Sequence, residues 1–326
     1  MSDARLFEST LKSLRSRMGR AIAVPSCAAW SIEPSPVPTV VARVSANEFD
    51  RNLQEDRAAV PFFALCLAWW FEHFALFGTE AVKARVELDA ALRETAHGHR
   101  AAFVLHELSR LVPSRFTLSP APDARWPERP VLNEGEADRD DAARPERGGE
   151  HAIEVAFTRQ KHLPTQFAAI DAIEAFRRQL PVGVFDGEVR RATRWSPSGK
   201  SQIDLWAPST DGSTIHLFEL KDRGNNGLGI LPESFWYTRL VHAIRCNNFV
   251  GRPIVGGGKA MDAVRAASRV SMWLVVQDHH PLVLADGASP LSELNAAMRD
   301  ECVSIGVLPY AMIEGRVVLE SSSVWR

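Results

Sequence analysis

Asp204, Glu219 and Lys221 are the residues whose types and spacing best suit chemistry. Asp204 lies in SQIDLWAP (201–208), and Glu219 and Lys221 lie in TIHLFELKD (214–222). Both runs read as β-strands, and the intervening STDGS carries Asp211-Gly212, a hairpin turn signal. Side chains alternate faces along a strand, so Glu219 and Lys221 share one face and Leu220 takes the other. A hairpin closed at Asp211-Gly212 brings Asp204 to the same end as Glu219. Two carboxylates at one sheet edge make an oxygen-donor site for a hard divalent cation, Mg²⁺ or Mn²⁺. A lysine beside them can hold or acidify a water. This set suits phosphodiester hydrolysis, in which a bound metal activates water and neutralises charge on the transferring phosphate. The plain alternative is a surface strand with an ordinary Glu–Lys pair.

Other elements must position these residues. The spacing predicts a helix over 164–180 (PTQFAAIDAIEAFRRQL), opened by Pro164. EVRRATRW (188–195) reads as a strand ahead of the hairpin, and PESFWYTRLVHAIRCN (232–247) as a second helix. SMWLVVQ (271–277) reads as a buried central strand. Helix, three strands, helix, strand predicts a mixed α/β sandwich.

These residues, in this order, resemble the PD-(D/E)xK nuclease superfamily. The matching motifs are IDLW (203–206) and FELK (218–221), and the resemblance covers roughly residues 160–280. Ile203 stands where the motif carries Pro. The flanks QLPVGVF (179–185) and LGILPESFWY (228–237) also look like a bacterial subgroup with this core. The resemblance implies a restriction-endonuclease-like αβββαβ core of α+β or α/β class, a mixed sheet flanked by helices. It implies that Asp204 and Glu219 bind Mg²⁺ or Mn²⁺, aided by the backbone carbonyl of Leu220, and that Lys221 positions or activates the attacking water. The implied substrate is nucleic acid, DNA ahead of RNA, with restriction, repair and phage defence all open. In such nucleases an acid on the first helix often completes the metal site. Glu174 is the candidate, because it flanks the helical apolar arc of Phe167, Ile170, Ile173 and Phe176. Glu188 is a rival, as is Glu233, whose place at the start of the second helix also suits the helix dipole. From another class, the core can be a non-catalytic module that keeps the nuclease fold and binds nucleic acid or a protein.

Basic residues cluster around the motif: Arg190, Arg191 and Arg194 on the expected first strand, Lys200 in its turn, Arg223 past Lys221, and Arg239 and Arg245 on the second helix. They are candidate phosphate contacts, with a solvated strand face as the alternative. Trp195, Trp206 and Trp236 either stack bases or pack the core. GGGKA (256–260) lacks the first Gly and the Ser/Thr of a P-loop and reads as a loop. His97, His99, His279 and His280 lack the partners of a metal site and read as element-end histidines.

The rest of the chain sets the frame. Its 326 residues suggest two domains, and 45% hydrophobic with 24% charged residues excludes a wholly disordered chain, a collagen-like repeat and a polytopic membrane protein. A net charge of −2 excludes a uniformly basic nucleic-acid coat protein. Four cysteines without a CxxC pair exclude a zinc ribbon and fit a reducing cytoplasm. The N-terminus lacks the apolar core of a signal peptide, and Leu6, Leu11, Leu14 and Met18 fit one helical face. Residues 1–116 read as a mostly helical domain, expected to select the substrate or a protein partner. It contains a β-like run (39–45), a Ser45–Glu48 capping box and helical spacing over 80–112. The apolar stretch 58–78 is interrupted by Glu72 and His73, too early for a membrane span, and reads as a buried helix with Pro61 in its first turn. A membrane-surface or partner-docking helix is the alternative. Residues 117–150 hold five Pro and 5 Arg against 9 acids and read as a linker or long loop. Residues 151–326 form the nuclease-like domain.

Overall fold

A computed structural model describes residues 3–34, 36–78, 81–120, 125–133, 149–197, 201–223, 227–285, 287–314, 316–320 and 324–325. The chain begins α1 (Asp3–Met18), β1 (Ala28–Glu33), β2 (Thr39–Val44), α2 (Val60–His73), β3 (Lys83–Leu88), α3 (Ala96–Leu111) and β4 (Phe116–Ser119). It continues through β5 (Pro130–Leu132), α4 (Glu150–Arg159), α5 (His162–Phe167), β6 (Arg177–Pro181), β7 (Val184–Asp186), β8 (Gln202–Pro208) and β9 (Thr214–Lys221). It ends with α6 (Ile230–Arg245), β10 (Val255–Gly256), α7 (Gly258–Ala266), β11 (Arg269–Val276), α8 (Leu291–Met298), β12 (Val303–Ile313) and β13 (Arg316–Leu319). Two compact units result. One is Met1–Arg125 with Gly227–Glu233 and His279–Ala297; the other is Trp126–Asn226 with Ser234–Asp278 and Met298–Arg326.

The first unit is mixed rather than mostly helical. Its sheet runs β1-β2-β3-β4, with β1 antiparallel to β2 and the other pairs parallel. The helical spacing read over 80–112 hid β3. Ala84, Val86 and Leu88 alternate with Arg85 and Glu87, so the apolar set buries on one face, and pairing with β2 and β4 decides for strand. The Ser45 capping box starts only a 3₁₀ turn, Ala46–Phe49. The apolar stretch is the buried helix α2, with Pro61 in its first turn. The Trp70 indole N–H donates to the Leu282 carbonyl at 3.0 Å. Glu72, which interrupts the apolar run, accepts from Arg115, whose Nε also donates to Glu293 at 3.0 Å. Among the described residues no helix is long and apolar enough to cross a membrane.

The second unit is built on a six-stranded sheet, β13-β12-β11-β9-β8-β6. β6, β8 and β9 are mutually antiparallel neighbours, β9, β11 and β12 are parallel, and β13 is antiparallel. The β8–β9 hairpin closes at Gly212, whose φ of +70° suits glycine. Asp211 Oδ1 accepts from Ser209 Oγ and Ser213 N, and these bonds push its carboxyl down to about 2. Leu205, Ala207, Phe218, Leu220, Trp273 and Val275 turn one sheet face onto Ile153 and Phe157 of α4 and Phe167 of α5. Within that layer His216 Nδ1 accepts the Trp273 indole N–H at 3.2 Å, so Nε2 carries the proton that Asp171 accepts at 3.0 Å. The outer edge of β13 is capped by side chains. Val317 N donates to Gln160 Oε1 and Leu319 N to Gln166 Oε1, both at 3.1 Å, while His162 Nε2 bonds the Val317 carbonyl.

Three expectations are corrected. The helix over 164–180 ends at Phe167, and 177–181 is β6. Ile173 and Phe176 do enter the core, but from extended chain; Ile173 bridges Ser209, and β6 pairs with β8, so long-range pairing overrides the helical spacing. Residues 188–195 form bends and a 3₁₀ turn at Arg191–Thr193 instead of a strand. The expected linker contributes β5, central in the three-stranded sheet β10-β5-β7, and its last residue, Glu150, opens α4. Residues 121–124 and 134–148 of that segment lie outside the described residues.

Candidate active site

The β8–β9 register pairs Leu205 with Phe218 and Trp206 with Leu217; alternation puts Asp204 on the Trp206 face and Glu219 and Lys221 on the Leu217 face. Directly opposed residues share a sheet face. Asp204, Glu219 and Lys221 therefore alternate with Leu205, Phe218 and Leu220, the residues turned onto the α4–α5 layer. Regular pairing stops at Leu205, where the Asp204 side chain takes over: Oδ2 accepts from Leu220 N at 2.9 Å. That bond fixes the carboxylate against the strand that carries the other two groups.

Lys221 Nζ donates to Glu219 Oε1 at 2.7 Å, and the two residues are 1% and 2% exposed. Asp204 is half-buried, so it is the more solvent-facing member of the set. Two further groups bear on Lys221. Glu150 Oε1 lies 3.8 Å from Nζ, and the Tyr310 hydroxyl donates to the Lys221 carbonyl at 3.1 Å. Burial, with Asp222 and Glu150 adding to it, raises the Tyr310 phenol above its ordinary range, so it stays a donor.

Glu150 is an acid beside Lys221 that the sequence does not single out. It stands in the first turn of α4, the helix that opens this unit, and faces the lysine. Glu174 is on no helix: it is exposed in a bend between α5 and β6, away from the apolar arc invoked for it. The signal for α4 was present in Ile153, Glu154 and Phe157, buried at helical spacing just after Gly148-Gly149. Glu188 is exposed and paired with Arg190 at 2.9 Å. Glu233 is buried in the first turn of α6 and accepts from Gln54 Nε2 at 3.0 Å.

Arg190, Arg191 and Arg223 are exposed, Arg194 is half-buried, and Lys200 lies outside the described residues. Arg239 and Arg245 are engaged within the protein. Arg239 pairs with Glu301, and Arg245 donates to the Ser268 and Glu301 carbonyls. Trp195, Trp206 and Trp236 are buried, which favours core packing over base stacking. The glycine run 256–258 turns from β10 into α7. Gly257 has φ +99°, and a Cβ there would meet Met261 Cγ at 2.3 Å. His280 lies in the loop between β11 and α8, where its Nδ1 accepts from Leu282 N, and burial pushes it down to about 4.

Asp204 and Glu219 offer carboxylate oxygens, the donor type of a hard cation. Among the described residues no group of three or more His, Cys, Asp or Glu side chains is arranged to hold a metal ion. Two carboxylates are nonetheless the usual protein share for Mg²⁺, which takes its remaining ligands from water and substrate phosphate. The chain matches no family model, no curated protein and no solved structure with which it was compared.

Proposed function

We propose that the chain is a metal-dependent nuclease that hydrolyses phosphodiester bonds, of DNA ahead of RNA, through a PD-(D/E)xK-type site. The observation that carries this reading is Lys221 Nζ 2.7 Å from Glu219 Oε1, with the Asp204 carboxylate bonded to the Leu220 N–H that lies between those two residues in the strand. The element order supports it once β7, β10 and α7 are counted as additions: α4 and α5, then β6, β8 and β9, then α6 and β11 match the αβββαβ sequence of that superfamily. In this reading Asp204 and Glu219, with the Leu220 carbonyl, hold Mg²⁺ or Mn²⁺. The metal, when bound, supplies an acidified water and charge neutralisation at the phosphate. Lys221 orients the attacking water and shares its charge with Glu219. Glu150, rather than Glu174, is the helix acid beside the site, and its carboxylate holds the Lys221 ammonium. The test is a panel of linear, circular, single-stranded and RNA substrates with Mg²⁺ or Mn²⁺, run on wild type and Asp204→Asn. Cleavage by wild type and none by the variant is the expected result. Equal activity of the two overturns the mechanism.

One observation favours a second reading, a non-catalytic nucleic-acid or protein-binding module. Glu219 and Lys221 are almost fully buried, as in a structural ion pair. Calorimetric titration with Mg²⁺ separates the two: heat that is lost in Asp204→Asn supports the nuclease, and no heat supports the module.

A further inference from the structure

On β6, Arg177 pairs with Trp206 and Arg178 with Leu205, while Leu180 pairs with Ile203. Gln179 therefore stands at the register position of Asp204, on the strand flanking it opposite β9. Alternation puts Arg177 on the face that carries Asp204 and Arg178 on the other, where it bonds Glu154 of α4, and Gln179 lies between Arg178 and Leu180 at the Asp204 register position. The Arg177 guanidinium lies over the Trp206 ring, 5.0 Å from its centroid, which confirms its face.

Two features of this pair are not accounted for by hydrogen bonds or ion pairs among the described residues. Among the described residues the Arg177 side chain has no hydrogen bond or ion pair; it is exposed and held in place by the indole alone. Gln179 has φ +56° inside a strand, a conformation that an unbranched non-glycine residue seldom adopts. Its half-buried carboxamide makes no side-chain hydrogen bond among the described residues. Strained backbone of this kind is retained where function needs the side chain in that position.

We propose that Arg177 and Gln179 form a subsite that grips the phosphodiester backbone of a nucleic acid strand beside Asp204. Arg177 supplies the charge, pre-oriented by stacking, and Gln179 supplies a neutral N–H donor to a phosphate oxygen. The subsite rests on the nucleic-acid reading of the Asp204 site. It is also distinct from the arginines that the sequence pattern suggested.

The experiment measures binding of a duplex DNA oligonucleotide in Ca²⁺ at several salt concentrations, for wild type, Arg177→Gln, Arg177→Lys and Gln179→Gly. Cleavage in Mg²⁺ and melting temperature are recorded alongside. Arg177→Gln should weaken binding and flatten the slope of log K against log salt by about 0.9, one phosphate contact, or about 0.7 on a single strand. Arg177→Lys should keep the slope. Gln179→Gly, relieved of its positive φ, should melt higher yet bind more weakly with the slope unchanged. A wild-type slope in Arg177→Gln, or wild-type affinity in Gln179→Gly, overturns the subsite. If wild type cleaves while Arg177→Gln keeps the wild-type slope, the subsite falls and the nuclease stands. If the slope depends on Arg177 but nothing is cleaved, the subsite stands and the nuclease falls. If wild type binds no DNA, both fall.

Discussion

Replacing Lys221 with Met tests the centre of the site most directly. Lys221 Nζ and Glu219 Oε1 are 2.7 Å apart and almost fully buried. At an effective dielectric of about 20 their gross attraction is roughly 6 kcal/mol, most of it offset by the cost of removing both charges from water. Deleting the ammonium leaves Glu219 charged and buried without its counter-charge. The expected loss is about 3–5 kcal/mol, or roughly 6–20 °C in melting temperature for a unit of this size. Replacing both Glu219 and Lys221 with Met removes the buried charge along with its partner, and most of that stability should return, to within about 1 kcal/mol of wild type. Urea unfolding of wild type, both single variants and the double variant closes the cycle. The double variant also separates chemistry from unfolding: it is folded, lacks both groups, and should have no Mg²⁺-dependent cleavage. A loss below about 1 kcal/mol in Lys221→Met, or a double variant as unstable as the two single losses summed, refutes the coupled-pair argument.

Other outcomes follow from the same geometry. Asp204→Asn keeps an oxygen acceptor for Leu220 N, so its stability should stay within about 1 kcal/mol of wild type in urea unfolding while metal-dependent cleavage disappears. Glu150→Gln should slow cleavage by about 10–100-fold through the positioning of Lys221, while Glu174→Gln keeps the wild-type rate. His280 is pushed down to about 4, so the unfolded chain binds its proton first on acidification. Its contribution is complete above about pH 6.5 and declines as pH falls towards 4, by about 3 kcal/mol in all. A His280→Asn variant should lose that part of the slope in melting temperature against pH. Gly229→Ala would put a methyl 2.0 Å from the Gln54 carbonyl oxygen, so thermal melting should show a loss of at least about 1–3 kcal/mol.

The sequence was most legible where local and long-range preferences agree. The β8–β9 hairpin is such a place: period-two alternation leads into Asp211-Gly212, and the register that pairs Leu205 with Phe218 follows from the turn. β11 and α2 were legible because an all-apolar run has few alternatives to burial. β6 was not legible. Phe167, Ile170, Ile173 and Phe176 are spaced for a helix, and only pairing with β8, far along the chain, makes the second half of that run extended. The same error placed Glu174 on a helix, whereas the helix there stops at Phe167. Glu150 was hidden in a segment whose composition suggested a linker. β3 was obscured in the same way, by helical spacing that covers an alternating strand.

The first unit draws on chain that is synthesised long after its own sheet. Trp70 finds its acceptor at Leu282, and Arg115 one of its carboxylates at Glu293, both within the segment His279–Ala297. A ribosome adding about 5–20 residues per second takes roughly 10–40 s to travel from the end of β4 to the end of that segment. During that interval the most apolar helix of the protein has emerged while the backbone carbonyl that satisfies its tryptophan has not. Truncations before residue 279 should consequently be aggregation-prone in translation. An N-terminal fragment cut at Arg125 is not a shorter version of the unit but an unfinished one.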